Sequence, residues 1–327
     1  MTLRSILAAL FSAACIVSSI PAVAQRTRTS TSFRVLEWNV SDSAWVKQSA
    51  SSRAVLRWAD ADIFILAQVS KGLNANAIKR MLSGLRGPSD TTWFISTGSV
   101  NALGNVEHTV IASRDSVKQV PEFAQVLFPD TGALAARATI PANDSVTRAR
   151  GGNESVRVNG SMVRVGDNWL FVVGVHFMCC GTIDTWREYR RQLGAIAVRD
   201  RMNKVLTRWI PNGIIIAGDM NLVSGSAPLD TILKTAAKSP FAPMMRADAL
   251  HFDNWTDWTW DGRNTPFNGG RLDNVVYSAG KLTVNSARIY DTEYLSADTL
   301  KAHELTSRTS VLINQHRPVV VDFTFKR

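Results

Sequence analysis

Cysteine is scarce in this chain of 327 residues, which contains three. One of them, Cys15, lies in an apolar N-terminal segment, so the rest of the chain has only the adjacent pair Cys179-Cys180. Neighbouring cysteines can close only a strained disulfide with each other, and no other partner exists. This excludes a small domain held together by disulfides, and a metal site on this pair would need ligands that the sequence does not obviously supply.

Long apolar runs are absent after the N-terminus. The first segment has one positive charge, Arg4, followed by the apolar stretch 5–20 and the small-x-small site 22–24. This order is typical of a secretory signal. Its core contains serines and is too short for a membrane span, and no later run approaches the roughly 20 apolar residues that a span needs. We therefore expect a signal peptide over 1–24 and export of the mature chain, 25–327.

Linkers rich in proline, glycine or serine are also missing, and no repeat is visible, so we expect a single domain. We also expect a monomer. Short runs of Val, Ile and Phe predict strands, and three- to four-residue spacing predicts helices. Many strands with a few helices between them indicate a mixed α/β domain of packed layers. The predicted strands are 33–39, 61–66, 92–96, 107–113, 123–128, 135–140, 161–165, 169–176, 213–217, 273–277, 281–290 and 318–325, and the predicted helices are 49–59, 74–85, 184–209, 228–236 and 297–304.

Acidic residues are fewer than basic ones, 27 against 37, which gives a net charge of +10. Such a surface attracts anionic partners. An exported protein that is basic without binding an anionic partner is equally consistent with this charge. Arginines follow one face of the predicted helix 184–209. A solvated helix face is the favoured interpretation, and a phosphate-binding row is the alternative. In that alternative we expect Arg187 and Arg191, which are close to His176 in sequence, to bind substrate.

Polar residues follow the predicted strand 213–217, where Gly218-Asp219-Met220-Asn221 presents a carboxylate and an amide together. Ligands bind at the carboxyl ends of strands in open α/β sheets. Phosphoryl transfer needs charge stabilisation and a placed nucleophile, so an Asp that orients water and an Asn that donates to a phosphate oxygen are suitable. Alone the signal is weak, because these residues are common in turns.

Two histidines lie at strand ends. His316 directly precedes the terminal strand, and Asp273, which begins an earlier strand, can hold its imidazole as an orienting carboxylate holds a general base. His176 ends the strand 169–176. A single histidine at such a place is more often structural. Two of the chain's five histidines at strand ends, each with a candidate carboxylate, favour catalysis.

Taken together, these segments resemble the endonuclease/exonuclease/phosphatase superfamily, the deoxyribonuclease-I-like group, over the whole mature chain. The resemblance implies a four-layer α/β sandwich of two packed mixed β-sheets flanked by helices. It implies that Asn39, at the end of the first strand, contacts the site and binds substrate. The catalytic positions that it implies are Asp219, Asn221, Asp273, His316, the second histidine His176 and its carboxylate partner Glu107.

Two positions depart from the family's pattern. The motif Leu-Gln-Glu-Val, whose Glu is the principal magnesium ligand, is here Leu66-Ala67-Gln68-Val69, and Ser-Asp-His is here Asn314-Gln315-His316. Each change keeps a carbonyl oxygen and removes a negative charge. Mg²⁺ is usually held by one or two carboxylates together with water and phosphate. We therefore expect the site for Mg²⁺ or another divalent cation, with Asn39, Gln68 and Gln315 as ligands, to be weak or lost.

Three mechanisms stay open at this stage. In the first, a weakly bound metal assists a water activated by His316 and Asp273; in the second, the two histidines perform acid–base chemistry without metal. In the third, the chain is a pseudoenzyme that binds a phosphorylated or anionic ligand without cleaving it. We expect an exported phosphoester hydrolase, either a phosphodiesterase or nuclease-like enzyme or a phosphomonoesterase. The family's substrates range from DNA to lipids on one scaffold, so the sequence does not select DNA, RNA, lipid or a small phosphate ester.

Overall fold

The computed structural model describes residues 31–98, 107–129, 155–183, 185–223, 225–236 and 239–326. The predicted signal peptide, 1–24, and the predicted strand 135–140 lie outside the described residues.

Twelve strands are found in the described part of the chain, and they form two six-stranded sheets. In chain order they are β1 Ser32–Asp42, β2 Ile63–Ser70, β3 Phe94–Thr97, β4 Glu107–Ser113, β5 Val117–Gln119, β6 Arg157–Val165, β7 Asn168–His176, β8 Gly213–Asp219, β9 Met244–Arg246, β10 Asp273–Ser278, β11 Leu282–Ile289 and β12 Val319–Phe325. The first sheet has the order β11-β12-β1-β2-β4-β3, and the second has the order β5-β6-β7-β8-β10-β9. Each sheet is mixed, because β1–β2 and β7–β8 are parallel pairs within otherwise antiparallel sheets.

Helices cover the outer faces of both sheets. They are α1 Ala44–Lys47, α2 Ser49–Ala59, α3 Ala75–Leu82, α4 Trp186–Val205, α5 Ala227–Leu233, α6 Ala297–Ala302 and α7 Thr309–Ile313. The apolar faces of α1, α2 and α3 pack on the first sheet, and those of α4 and α5 pack on the second. A third apolar cluster fills the space between the sheets. The predicted four-layer sandwich is confirmed.

The alternation of side chains along β1 shows how this fold positions polar groups. Leu36, Trp38 and Val40 face the helices, whereas Phe33 and Val35 face the other sheet. Successive residues of a strand point to opposite faces, so the inward row continues with Glu37 and Asn39. The strand therefore changes from apolar to polar at the end where the candidate site lies.

One strand prediction was wrong. The segment 123–128 contains the end of a 3₁₀ turn, Pro121–Phe123, followed by a single bridge between Leu127 and Ser155. The apolar residues of this segment suggested a strand. Phe123 is buried in a turn instead, and its ring packs edge-on against Phe171 with ring centroids 5.6 Å apart. The short elements β5, β9, α1 and α7 were not predicted, since three to five residues are too few to show a period.

Among the helices of the described residues, none combines the length and the apolar character that a membrane crossing requires.

Candidate active site

The predicted site residues meet at one edge of the sandwich. His176 is the last residue of β7, Asp219 is the last of β8, and Asp273 is the first of β10. Asp219 is in register with His176 on one side and with Asp273 on the other. The first sheet contributes Asn39 from β1 and His316 from the turn before β12. The site therefore forms where the two sheets face each other.

Asp219 is the centre of this arrangement, and it is almost completely buried. Its Oδ2 accepts a hydrogen bond of 2.8 Å from Nδ2 of Asn39. The Nε2 atoms of His176 and His316 lie 3.7 and 3.9 Å from the same oxygen. Its Oδ1 accepts from the backbone N–H of Asn221 at 2.9 Å, which fixes the rotamer of the carboxylate. Both histidines thus face one oxygen atom from opposite sheets.

His316 and Asp273 form a direct pair. Nδ1 of His316 lies 2.9 Å from Oδ2 of Asp273, whose side chain is fully buried. The hydroxyl of Thr259 accepts from the backbone N–H of Asp273 at 2.9 Å and so fixes the start of β10. Burial opposes protonation of His316, but the charge of Asp273, the hydrogen bond to it and the charge of Asp219 raise the pKa of the imidazole above its ordinary value.

The backbone around His316 is held from both sides. Nε1 of Trp38 donates to the His316 carbonyl at 3.1 Å, and the His316 N–H donates to Oδ1 of Asn314 at 2.6 Å. The amide of Asn314 in turn donates to the Asn39 carbonyl at 3.3 Å. These bonds connect the histidine to β1 and set the distance between His316 and Asn39.

A buried arginine supports the same turn. The guanidinium of Arg317 is fully buried, and it donates to Asp291 at 2.7 Å and to Asp261 at 3.0 Å. It also lies over the ring of Trp258, 5.3 Å from the centroid. Trp258, in the segment before β10, therefore packs against the turn that carries His316.

His176 lies farther from its carboxylate partner than His316 does. Its Nδ1 lies 3.4 Å from Oε1 of Glu107, and that carboxylate is shared with Arg157 at 2.5 Å and with the side-chain amide of Gln68. Burial works against ionisation of Glu107, but its contact with His176, the charges of His176 and Arg157 and its contact with Gln68 lower the pKa of this carboxyl. The Glu107 carboxylate is thus shared among three groups.

The two-sheet fold and this polar edge agree with the comparison of the chain with known families. The sequence model of the Endonuclease/Exonuclease/phosphatase family matches residues 36–296. The chain belongs to this family. No curated protein matches the sequence significantly.

Solved structures of the endonuclease/exonuclease/phosphatase fold share the architecture at low identity. A family protein from Bacteroides thetaiotaomicron is similar with a TM-score of 0.58 and 15% identity, over 91% of this chain and 99% of that one. The human Nocturnin catalytic domain with bound sulfate gives 0.53 and 13%, over 90% and 94%. D. rerio TDP2 complexed with a single-strand DNA product gives 0.52 and 12%, over 90% and 99%.

The two glutamines that replace family carboxylates take different positions. Gln68 lies in a bulge of β2 with φ of 54°, and its half-buried side chain is directed to Glu107. The side chain of Gln315 is exposed, and its backbone carbonyl accepts from Asp261. Neither glutamine adds a charge to the Asp219 centre.

Asn221 also uses its amide within the fold. Its Nδ2 donates to the Phe177 carbonyl at 3.0 Å, and its φ of 49° shapes the turn after β8. An amide nitrogen has two hydrogens, so one donor remains for a ligand.

The arginine predictions must be corrected at one position. Arg191 is fully buried and donates to Glu188 at 3.0 Å and to the carbonyls of Met178 and Cys180 at 2.6 and 3.1 Å. Its planar guanidinium is used up in holding the loop that follows β7, so we remove it from the substrate-binding set. Arg187, half-buried in the first turn of α4, stays a candidate.

A buried acidic residue two positions before Asn39 was missed by the sequence analysis. Glu37 is fully buried, and neither carboxylate oxygen has a hydrogen-bond partner among the described residues. Burial, followed by the charges of Asp273 and Asp219, raises the pKa of Glu37 well above its ordinary value. The signal was present in the sequence, since an acidic residue interrupts the inward apolar row of Phe33 and Val35.

One set of donor atoms in this site fits a divalent cation. Ligand atoms of Asp219, Asp273 and His316 lie within 4.8 Å of one another. Oδ1 of Asp273 is buried and has no hydrogen-bond partner among the described residues. Hard cations such as Mg²⁺ prefer carboxylate oxygens, which Asp219 and Asp273 supply and the two glutamines do not.

Proposed function

We propose that this protein hydrolyses phosphate esters at the edge formed by Asp219 and His316. The observation that carries the proposal is the bond of 2.9 Å between His316 and the buried Asp273, with the other imidazole nitrogen directed at Asp219. A histidine held by one carboxylate and facing a second polar group is the arrangement of a general base beside a placed water. The family membership of the chain supports phosphoester hydrolysis as the reaction.

Each residue of the site has a role in this reaction. Nε2 of neutral His316 takes a proton from water, and Asp273 orients the ring and stabilises the imidazolium that forms. Asp219 accepts a hydrogen bond from the attacking water and fixes its direction. His176 lies on the other side of Asp219. In its protonated form it donates a hydrogen bond to the leaving oxygen or to the oxygen on which negative charge develops. Asn39 and Asn221 supply amide hydrogens at the same place.

A divalent cation, held by Asp219 and Asp273, would neutralise charge on the phosphate when bound. The protein's own residues do the remaining work, which is to bind and orient the ester, to accept the proton and to return one to the leaving group.

The substrate class is a phosphate ester, with nucleic acid as a candidate. Support comes from the net charge of +10 and from relatives of the same fold, one solved with a single-strand DNA product and one with sulfate. We propose that Arg187, in the first turn of α4, contacts the substrate. We further propose that the chain is exported by its segment 1–24 and acts as a monomer.

A chromogenic phosphodiester tests the proposal, measured with Mg²⁺ and with chelator. The natural chain should turn it over, and His316→Ala should lose about 100- to 10,000-fold of the rate. The chelator arm separates metal-assisted from metal-free hydrolysis. Absence of turnover by the natural chain under both conditions would contradict the proposal.

The alternative function is binding of a phosphorylated or anionic ligand without cleavage. The loss of two carboxylates at Gln68 and Gln315 favours it. The double variant Gln68→Glu plus Gln315→Asp discriminates between the two functions. If only this variant hydrolyses the ester, the scaffold is competent and the natural site binds without turnover.

A further inference from the structure

Two thiols lie side by side in the loop that follows β7. Sγ of Cys180 lies 2.7 Å from Sγ of Cys179, and both cysteines are free. Cys179 is exposed and Cys180 is partly exposed, so a small molecule in solvent can reach the pair. The φ of 67° at Cys180 is a left-handed turn, which interrupts the alternation of side chains seen in an extended strand. The turn thus presents both sulfurs together at the surface.

The same loop begins at the candidate active site. It follows His176 directly, and its first residue is Phe177. The Phe177 N–H donates to the Asp219 carbonyl at 2.9 Å, and the Phe177 carbonyl accepts from Nδ2 of Asn221 at 3.0 Å. A displacement of this loop therefore reaches three residues of the site through the backbone of Phe177.

The backbone on both sides of Cys179 is held by one side chain. The carbonyls of Met178 and Cys180 accept from Nη1 of the buried Arg191 at 2.6 and 3.1 Å. The two sulfurs take no part in this network, since among the described residues neither has a hydrogen bond to any group except the other sulfur. The thiol pair is thus held in place by the backbone and is free to react.

Covalent geometry sets what a bond between these sulfurs would do. The peptide bond between Cys179 and Cys180 is trans, and consecutive Cα atoms across a trans bond are about 3.8 Å apart. Disulfides usually join Cα atoms about 4.4–6.8 Å apart, and departures from this range store strain and make the bond easier to reduce. Closing the pair therefore distorts the backbone between the two carbonyls that Arg191 holds, and the product is a labile disulfide rather than a permanent one.

We propose that Cys179 and Cys180 are a reversible oxidation site for small-molecule disulfides, and that closing their bond displaces the loop beside His176. In the first step one cysteine sulfur attacks the small disulfide, forms a mixed disulfide and releases one thiol. In the second step the other cysteine sulfur attacks the mixed disulfide and releases the second thiol. The pair loses two electrons and its two protons, and both released thiols carry them away.

Mass spectrometry of the full chain in glutathione buffers tests the chemistry. After alkylation of free thiols, the tryptic peptide 165–187 reports on this pair alone, since it contains no other cysteine. In oxidised glutathione the peptide should carry no alkyl group and lack both thiol hydrogens, and about a ten-fold excess of reduced glutathione should restore both thiols. Two alkylated cysteines after oxidation would overturn the proposal, and so would a bond that survives the reduced buffer.

Single substitutions are the matched controls. Cys179→Ser and Cys180→Ser each leave one sulfur, so the ring cannot close and the mixed disulfide should accumulate at least about ten-fold above its level in the natural chain. Each variant checks the other if one of them fails to fold. Equal amounts of mixed disulfide in the natural chain and in the variants would show that the two sulfurs do not react together.

Hydrogen exchange measures the displacement of the loop without any substrate. On oxidation, amides of the segment 177–183 should exchange about ten-fold faster, while those of β12 stay unchanged. Cys179→Ser in the same buffer is the control for the attached glutathione, and it should show a smaller change. Identical exchange of 177–183 in the reduced and oxidised chain would contradict the displacement.

One consequence rests on the proposed function. If the site hydrolyses phosphoesters, oxidation should lower kcat about ten-fold, because a small misplacement of His176 and Asn221 is costly, and dithiothreitol should restore the rate. A chain that closes the disulfide but never hydrolyses an ester contradicts only the function. A chain that hydrolyses esters while both thiols stay reduced in oxidised glutathione contradicts only the oxidation site.

Discussion

The two histidines of the site face the same oxygen of Asp219 at nearly equal distances, 3.7 Å for His176 and 3.9 Å for His316, but their partners differ. His316 forms a short bond of 2.9 Å to Asp273, which is fully buried. His176 lies 3.4 Å from Glu107, and that carboxylate is also bound by other groups. A dedicated buried carboxylate holds one ring in one tautomer, whereas a shared one holds the other ring more weakly.

This difference assigns the roles. An imidazole with a dedicated carboxylate gains stability as it takes up a proton, which suits a general base. The partner of His176, Glu107, is already paired with Arg157, and we assign this histidine the role of a donor to the phosphate. Similar positions around Asp219 therefore do not imply similar functions.

The largest expected effect comes from uncoupling each histidine from its carboxylate. Asp273→Asn should lower kcat for the chromogenic phosphodiester about 1,000-fold, because His316 loses its orientation and the stabilisation of its charged form. Glu107→Gln, the matched change on the other side, should cost about ten-fold. Equal losses in the two variants would remove the distinction between the pairs.

Strand geometry offers a way to disturb the contact between β7 and β8. A Cβ on Gly218, whose φ is 146°, would lie 1.9 Å from the Val175 carbonyl oxygen, whereas Gly225, with φ of 154°, has nothing within 4 Å of its Cβ position. Gly218→Ala should therefore lower the free energy of unfolding by about 3 kcal/mol or more, and Gly225→Ala by about 1–2 kcal/mol of backbone strain. Urea denaturation of both variants measures the difference. Similar losses of unfolding free energy would show that the close approach of β7 and β8 adds no stability cost at Gly218.

The pH profile tests the state of His316. The base is active when neutral, and its pKa is raised by Asp273 and Asp219, so kcat/KM should increase with pH through a midpoint above the ordinary value of 6.5. In Asp273→Asn this limb should move to lower pH. The same shift stabilises the folded protein fully below the unfolded pKa, and this contribution is lost as pH rises through the raised pKa. A limb that stays in place in Asp273→Asn would contradict the assignment.

The smallest effect concerns the arginines of α4. Arg187→Ala should raise KM about five-fold with little change in kcat, since a half-exposed charge contributes about 1 kcal/mol. Arg191→Ala should instead lower the Tm, because Glu188 and two loop carbonyls lose their buried donor. A KM effect confined to Arg191 would reverse this interpretation.

Much of the fold could be predicted because its signals are local. Strands such as β1 and β8 are short apolar runs that end in polar residues, and the order of these ends along the chain carried the family resemblance. Short elements such as β5 and α1 escaped, since their few residues show no period. The segment 123–128 was wrong because burial of Phe123 in a turn resembles burial in a strand.

The site could be predicted only as far as a side chain's role follows from its place in a motif. The structure brings Asp219, Asp273 and His316 together as expected, but Arg191 is buried, a fact that depends on how α4 packs against the loop after β7. Glu37 was missed because its raised pKa comes from burial and from the charges of Asp273 and Asp219, which lie far away in the sequence and on the other sheet. Contacts between the sheets are not visible in either strand alone.

The most direct test of the account is the rate of phosphodiester hydrolysis by His316→Ala and His176→Ala at one pH and one Mg²⁺ concentration. The account predicts that both lose activity and that the loss for His316→Ala is at least about ten times greater, since it removes the base while His176→Ala removes a donor. An equal loss, or a greater one for His176→Ala, would contradict the assignment of His316 and Asp273 as the catalytic pair.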